Sequence, residues 1–223
     1  MRKVFYKKVT EISEDVLSMA KLAREAVSRA VKSLINRDPV PAQKVIDEDS
    51  RIDDYEISIE EKCVVLQAEY QPLAKDLRYI HSVSNIIIQL ERIGDLSANI
   101  AKVAKSLSKM NKEHLDDDLK KLLLEMLNLS VSILDKAAIS FKESNPSLAF
   151  KMGGIDDDID NIEKAIIRKL YSLPSGKEEN IKFIADISLV ARYLERVGDH
   201  SVNIGERVQH YLAGDYTIFH DDT

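Results

Sequence analysis

Apolar residues recur every three or four positions through most of the chain, and β-branched alternation of the strand type is nearly absent, so the pattern predicts an all-α protein. Val16, Ala20, Ala23, Val27, Val31 and Leu34 form one stripe that stops at Asn36-Arg37-Asp38-Pro39, where proline ends a helix and disfavours helical geometry just before it. A second helix is predicted over about 41–70, punctuated by Gln71-Pro72. A third is predicted over about 75–109, roughly 50 Å long at 1.5 Å per residue. Helices of this length predict a bundle.

The second half repeats the plan. Asn145-Pro146 lies 107 positions after Asp38-Pro39, and Asp156 and Asp160 lie 107 after Asp49 and Asp53. Glu195 and Asp199 lie 104 positions after Glu91 and Asp95, which predicts a turn three residues shorter in the second half, SLPSGK against AEYQPLAK. The duplication predicts two tandem, pseudo-symmetric three-helix bundles, residues 1–110 and 111–214, followed by a frayed tail over 215–223 that lacks periodicity.

Composition narrows the classes. The 38 acidic residues outnumber the 32 basic ones, and the basic residues are scattered without aromatic interleaving, so nucleic acid is not an expected partner. The single cysteine, Cys63, cannot form an intramolecular disulfide. With no apolar stretch of spanning length, the expectation is a cytoplasmic protein.

Chemistry is concentrated in the third helix of each half. Glu91-Arg92-Ile93-Gly94-Asp95-Leu96-Ser97-Ala98-Asn99-Ile100 matches Glu195-Arg196-Val197-Gly198-Asp199-His200-Ser201-Val202-Asn203-Ile204 at seven of ten positions. The spacing sets two carboxylates and an amide at i, i+4 and i+8, near one helix face with a drift of about 40° per step. Like charges at i, i+4 cost roughly 0.2–0.5 kcal/mol, and glycine inside a helix costs about 1 kcal/mol relative to alanine. A divalent cation bridging the carboxylates reverses the first cost, and the bare glycine admits a neighbouring helix. Asp49/Asp53 and Asp156/Asp160 place further acids at i, i+4 on the second helices, so each half offers about four carboxylates. Such oxygen ligands suit Mg²⁺, Mn²⁺, Ca²⁺ or iron, with more than one ion per site because carboxylates bridge.

An acidic run such as Asp47 to Asp54 is, taken alone, a solvated helix face; its recurrence beside a recurring third-helix motif is what favours a site. Arg92 and Arg196 read as local ion pairs, Asn99 and Asn203 as bonds across helices, and His200, opposite Leu96 in the first half, as a structural residue. No phosphate-binding loop, dinucleotide fingerprint, nucleophile elbow or H-E-x-x-H motif is present, so no enzyme activity is expected. Two other readings of the same acids stay open, a metal-dependent phosphohydrolase and a metal-free helical adaptor.

The doubled ERIGDLSANI and ERVGDHSVNI, the preceding acidic pairs and QPLAKDLR (residues 71–78) together resemble the PhoU family of phosphate-uptake regulators over about 5–214. The resemblance implies multinuclear clusters of divalent metal (Mg, Mn, Fe or Zn) held by Asp49, Asp53, Glu91, Asp95, Asp156, Asp160, Glu195 and Asp199. It also implies a negative regulator of the phosphate regulon. Its partners would be the ATPase subunit of a phosphate ABC transporter, a sensor histidine kinase and a second copy of the chain, with membrane association only through partners.

Overall fold

The computed structural model describes residues 2–110, 115–174 and 176–213, and every element among them is a helix. The first half holds α1 (Arg2–Asn36), α2 (Pro39–Glu48), α3 (Ser50–Tyr70) and α4 (Ala74–Leu107). The second holds α5 (Asp117–Glu143), α6 (Pro146–Phe150), α7 (Gly153–Tyr171) and α8 (Glu178–Ala213). The frayed tail expected over 215–223 lies outside the described residues, as do residues 111–114 of the segment joining the halves.

The two halves start their second helices with the same device. Asp38 accepts a hydrogen bond from the Val40 amide (2.9 Å), Asn145 accepts one from the Ser147 amide (3.1 Å), and a proline follows each cap. The single helix expected over 41–70 is interrupted at Asp49, where the Ile52 amide bonds to the Asp49 carbonyl (2.8 Å) in a tighter turn. Asp49 keeps helical dihedrals (φ −58°, ψ −42°), so α2 and α3 are parted by a one-residue break and not by a loop. The sequence Asp47-Glu48-Asp49-Ser50 crowds like charges with short polar side chains that compete for backbone groups, which weakens the helix there.

The three-residue difference between halves is not a shortened turn. The link between α3 and α4 is only Gln71–Leu73, whereas that between α7 and α8 runs from Ser172 to Lys177. Unit one instead extends α3 by nearly two turns before Pro72 stops it, while Pro174 and Gly176 follow the earlier end of α7. Unit one therefore carries a longer tip, closed by Gln71 in the left-handed region (φ 45°).

Helices α1, α4, α8 and α5 form a ring around one continuous apolar core, with α2/α3 against α1 and α4, and α6/α7 against α5 and α8. Direction follows from the contacts. Ser13 of α1 bonds the Tyr79 hydroxyl of α4 (2.6 Å), and the Tyr79 ring lies against Phe141 of α5 (6.1 Å) and Tyr211 of α8 (5.3 Å). The amino ends of α1 and α4 thus share one end of the molecule with the carboxyl ends of α5 and α8. Fully buried alanines on α1 (Ala23, Ala30) and α4 (Ala101, Ala104) allow close helix approach. No described helix is long and apolar enough to cross a membrane.

Candidate metal centres

In each half the third helix meets the acidic second helix at its glycine. A methyl group on Gly94 would lie 2.9 Å from Ile52 Cδ1 and 3.3 Å from Asp49 Oδ1; on Gly198 it would lie 2.8 Å from Asp156 Oδ1 and 3.1 Å from Ile159 Cδ1. Glycine therefore seats an aspartate oxygen against the helix that carries the motif glutamate. Alanine at either glycine is expected to push the aspartate aside and cost about 1–3 kcal/mol by overpacking. Thermal melts of the Gly94→Ala and Gly198→Ala chains check this, a melting temperature equal to the parent's being the contrary result.

In unit two, ligand oxygens of Asp160, Glu163 and Glu195 all lie within 4.8 Å of one another. Asp160 and Glu195 were both expected from the sequence; Glu163 was not. It follows Asp160 by three residues on the same face of α7, and Glu56 follows Asp53 in the same way on α3, so the duplication carried the signal that would have found both. The four candidates of unit one sit in corresponding places, and Asp53 and Asp95 both act on the Asp49 carboxyl. Among the described residues they do not close into a set as tight as that of unit two. Asp156 lies over Gly198, and Asp199 lies close enough to bear on Glu195 and Glu163.

Burial first, and neighbouring carboxylates second, disfavour the charged forms. Burial and Asp95 push Glu91 up to about 7, burial and Asp199 push Glu195 up to about 7, and burial with Asp53 and Asp95 pushes Asp49 up to about 6. Burial likewise raises Asp53, Glu56 and Glu163. Among the described residues Glu195 is the one buried acid: its Oε1 accepts from Arg192 Nη1 (2.6 Å), while its Oε2 is buried with no hydrogen-bond partner among them.

The arginines only partly follow expectation. Arg92 spans Glu91 (3.4 Å) and Asp95 (3.5 Å), but its counterpart Arg196 makes no ion pair among the described residues. Arg192, one turn earlier on α8, takes that role, lying 2.6 Å from Glu195 and 3.9 Å from Glu163. Asn203 does bond across helices, to Gln89 Oε1 (3.4 Å), whereas Asn99 accepts locally from Lys102 (3.1 Å). Gln89 Oε1 also accepts from His200 Nδ1 (2.8 Å), so His200 is committed to the α4–α8 seam, and burial, then Arg196 and Arg92, push its ring down to about 4.

The PhoU domain of known families matches this chain twice, over residues 16–104 and 123–208. The chain belongs to the PhoU family. It is 36% identical over 210 residues to the phosphate-specific transport system accessory protein PhoU homolog 1 of Thermotoga maritima, covering 94% of this chain and 89% of that one. It is 30% identical over 221 residues to the corresponding Clostridium acetobutylicum homolog, covering 99% of both. The crystal structure of PhoU from Pseudomonas aeruginosa superposes with a TM-score of 0.87 at 30% identity, over 95% of this chain and all of that one. The phosphate transport system regulatory protein PhoU of Streptococcus pneumoniae gives 0.86 at 27%, over 96% and 99%. The PhoU fold is thus the fold of this chain, two three-helix units in tandem.

Proposed function

We propose that this chain is a metal-binding accessory regulator of phosphate uptake that works at the cytoplasmic face of a phosphate ABC transporter. In this reading it contacts the transporter's ATPase subunit and a sensor histidine kinase, and represses the phosphate regulon when phosphate is plentiful. Membership of the PhoU family and the transport-accessory relatives support the phosphate role. The observation that carries the metal is the convergence of Asp160, Glu163 and Glu195 around a buried Glu195 oxygen that no described residue satisfies.

The donor set fits a hard dication. Carboxylates packed together and partly desolvated are destabilised as anions by one another, and a cation of the Mg²⁺, Mn²⁺, iron or zinc kind removes that repulsion while using the orphaned oxygen. Asp160, Glu163, Glu195 and Asp199, with Asp156 beside Gly198, would hold it in unit two; Asp53, Glu56, Glu91 and Asp95, with Asp49 beside Gly94, would hold it in unit one. A bound dication supplies positive charge and open coordination positions to which an oxyanion or a partner carboxylate can bind. The chain's own contribution is to fix the acids: the glycines set the helix approach, and Arg92 and Arg192 hold Glu91 and Glu195 at the mouth.

The test pairs elemental analysis of protein purified without chelator with equilibrium binding of the transporter ATPase and of the kinase, each with and without chelator. The expected result is bound metal and a clear loss of partner affinity on chelation. Metal-free protein of unchanged affinity would remove the cation from the function.

A further inference from the structure

We propose that the longer tip of unit one, where α1 begins and α3 turns into α4, is a face that docks directly onto an anionic lipid surface. The tip holds an open apolar groove of about 480 Å³ lined by Phe5, Tyr6, Tyr70, Pro72 and Leu73, with Arg2 and Asp76 at its edge. Beside the groove the turn projects Leu73, 82% exposed, and Val4, Tyr6 and Leu77 are exposed around it. A single exposed apolar side chain is ordinary; four on adjoining elements at one end of a bundle are not.

Charge selects the occupant. The chain carries a net charge of −6, yet Lys3 and Lys75 stand exposed at this tip and make no ion pair among the described residues, beside Arg2, which lies over the Tyr6 ring (5.8 Å). The nearby acids are largely answered, Glu69 by Lys8 (2.5 Å) and Glu11 by Lys7 (3.7 Å), while Asp76 faces Arg2. The opposite end also exposes large apolar side chains, Tyr171 and Ile181, but there Lys169 is paired with Asp116 (3.0 Å) and Asp118 (3.3 Å), Lys182 with Asp186 (3.4 Å), and Glu178 and Glu179 open α8. The tip of unit one thus combines insertable side chains with two uncommitted cations, Lys3 and Lys75, the two-signal combination that holds a protein on an anionic bilayer. The extra turns of α3 and the Gln71-Pro72 turn give this tip to one unit alone, so the attachment is end-on. It would hold Glu91 about 27 Å from the surface, counting 1.5 Å per residue along α4 from Leu73, and so clear of the bilayer's negative charge.

The purified full chain is sedimented with protein-free vesicles of phosphatidylcholine alone and of phosphatidylcholine containing one-third phosphatidylglycerol. Binding to the anionic vesicles is expected to exceed that to the neutral ones at least tenfold and to fall as salt rises. Lys75→Glu should weaken it at least fivefold and Leu73→Asp about tenfold. Tyr171→Ser at the far end should leave it unchanged, and the helical circular dichroism of all three variants should match the parent's. Equal pelleting with both vesicle types, or parent-like pelleting of Leu73→Asp and Lys75→Glu, overturns the proposal and leaves the tip to an acidic, apolar protein segment. Because the vesicles hold no transporter or kinase, the outcome does not depend on the regulatory reading.

Discussion

Replacing Glu195 with glutamine raises the melting temperature of the chelator-treated protein at pH 8, and in the same variant Mn²⁺ no longer gives the stabilisation it gives the parent. Both effects follow from one carboxylate. Without metal, Glu195 is buried, one of its oxygens has no partner, and burial with Asp199 pushes its pKa up to about 7, so its anion is a burden on the folded state. Glutamine keeps the shape and removes the charge. Arg192 loses an anionic partner in the variant, but it is half exposed and keeps Glu163 within reach at 3.9 Å. With metal the balance inverts, because the amide oxygen is a poor substitute for a carboxylate ligand. A cation at one hundred times its Kd stabilises a protein by about 2.7 kcal/mol, worth about 5–10 °C in a chain of this size. Parent and variant melts with EDTA and with Mn²⁺ should therefore cross; parallel shifts in both conditions would refute the assignment of Glu195 as a ligand.

Metal-free protein is also expected to lose stability as pH rises from about 5 to 8, against the usual trend for an acidic protein gaining its carboxylate interactions. Glu91 and Glu195 move from an ordinary 4.5 to about 7 on folding and Asp49 from 3.8 to about 6, so between these limits the folded chain binds more protons than the unfolded one. For groups raised on folding, the stabilisation is complete below the unfolded value and disappears as pH passes the folded value. Glu48 works the other way: the hydrogen bond from Arg29 lowers its pKa, so its contribution fades in acid and sets the lower edge of the optimum. Saturating Mn²⁺ should reverse the slope above pH 5, since the ligands must be deprotonated to bind. Urea titrations at pH 5, 6, 7 and 8 with and without metal read this directly, and a metal-free curve that rises across the interval is the result that contradicts it.

The helices were legible in the chain because the proline stops and the three-to-four apolar spacing are local signals, although Asp38 and Asn145 prove to cap the helices that follow rather than only to end those before them. So was the pairing of carboxylates on α4 and α8, where i, i+4 spacing fixes a shared face whatever surrounds it. Glu56 and Glu163 stand at i+3 from Asp53 and Asp160, outside the i, i+4 pairs that mark the other acids, although the same repeat carries both. The three-residue difference between halves was visible, but its location was not. Alignment counts residues, and only the positions of Pro72, Pro174 and Gly176 relative to the packed helices decide whether they lengthen a helix or a loop.

By itself, then, the sequence determined two copies of a three-helix unit, the face on which each set of acids lies, and membership of the family that this pattern marks. Tertiary structure alone decided that α4 and α8 pack together so that both units share one core, that Gln89 reaches His200 and Asn203 across the seam, that Arg192 rather than Arg196 holds Glu195, and that the acids of unit two close more tightly than those of unit one. The reason is that periodicity fixes where a side chain stands around its own helix axis, whereas the distance to a partner depends on how two helices rotate and slide against each other. That depends on packing at residues as remote in sequence as Gly198 and Asp156.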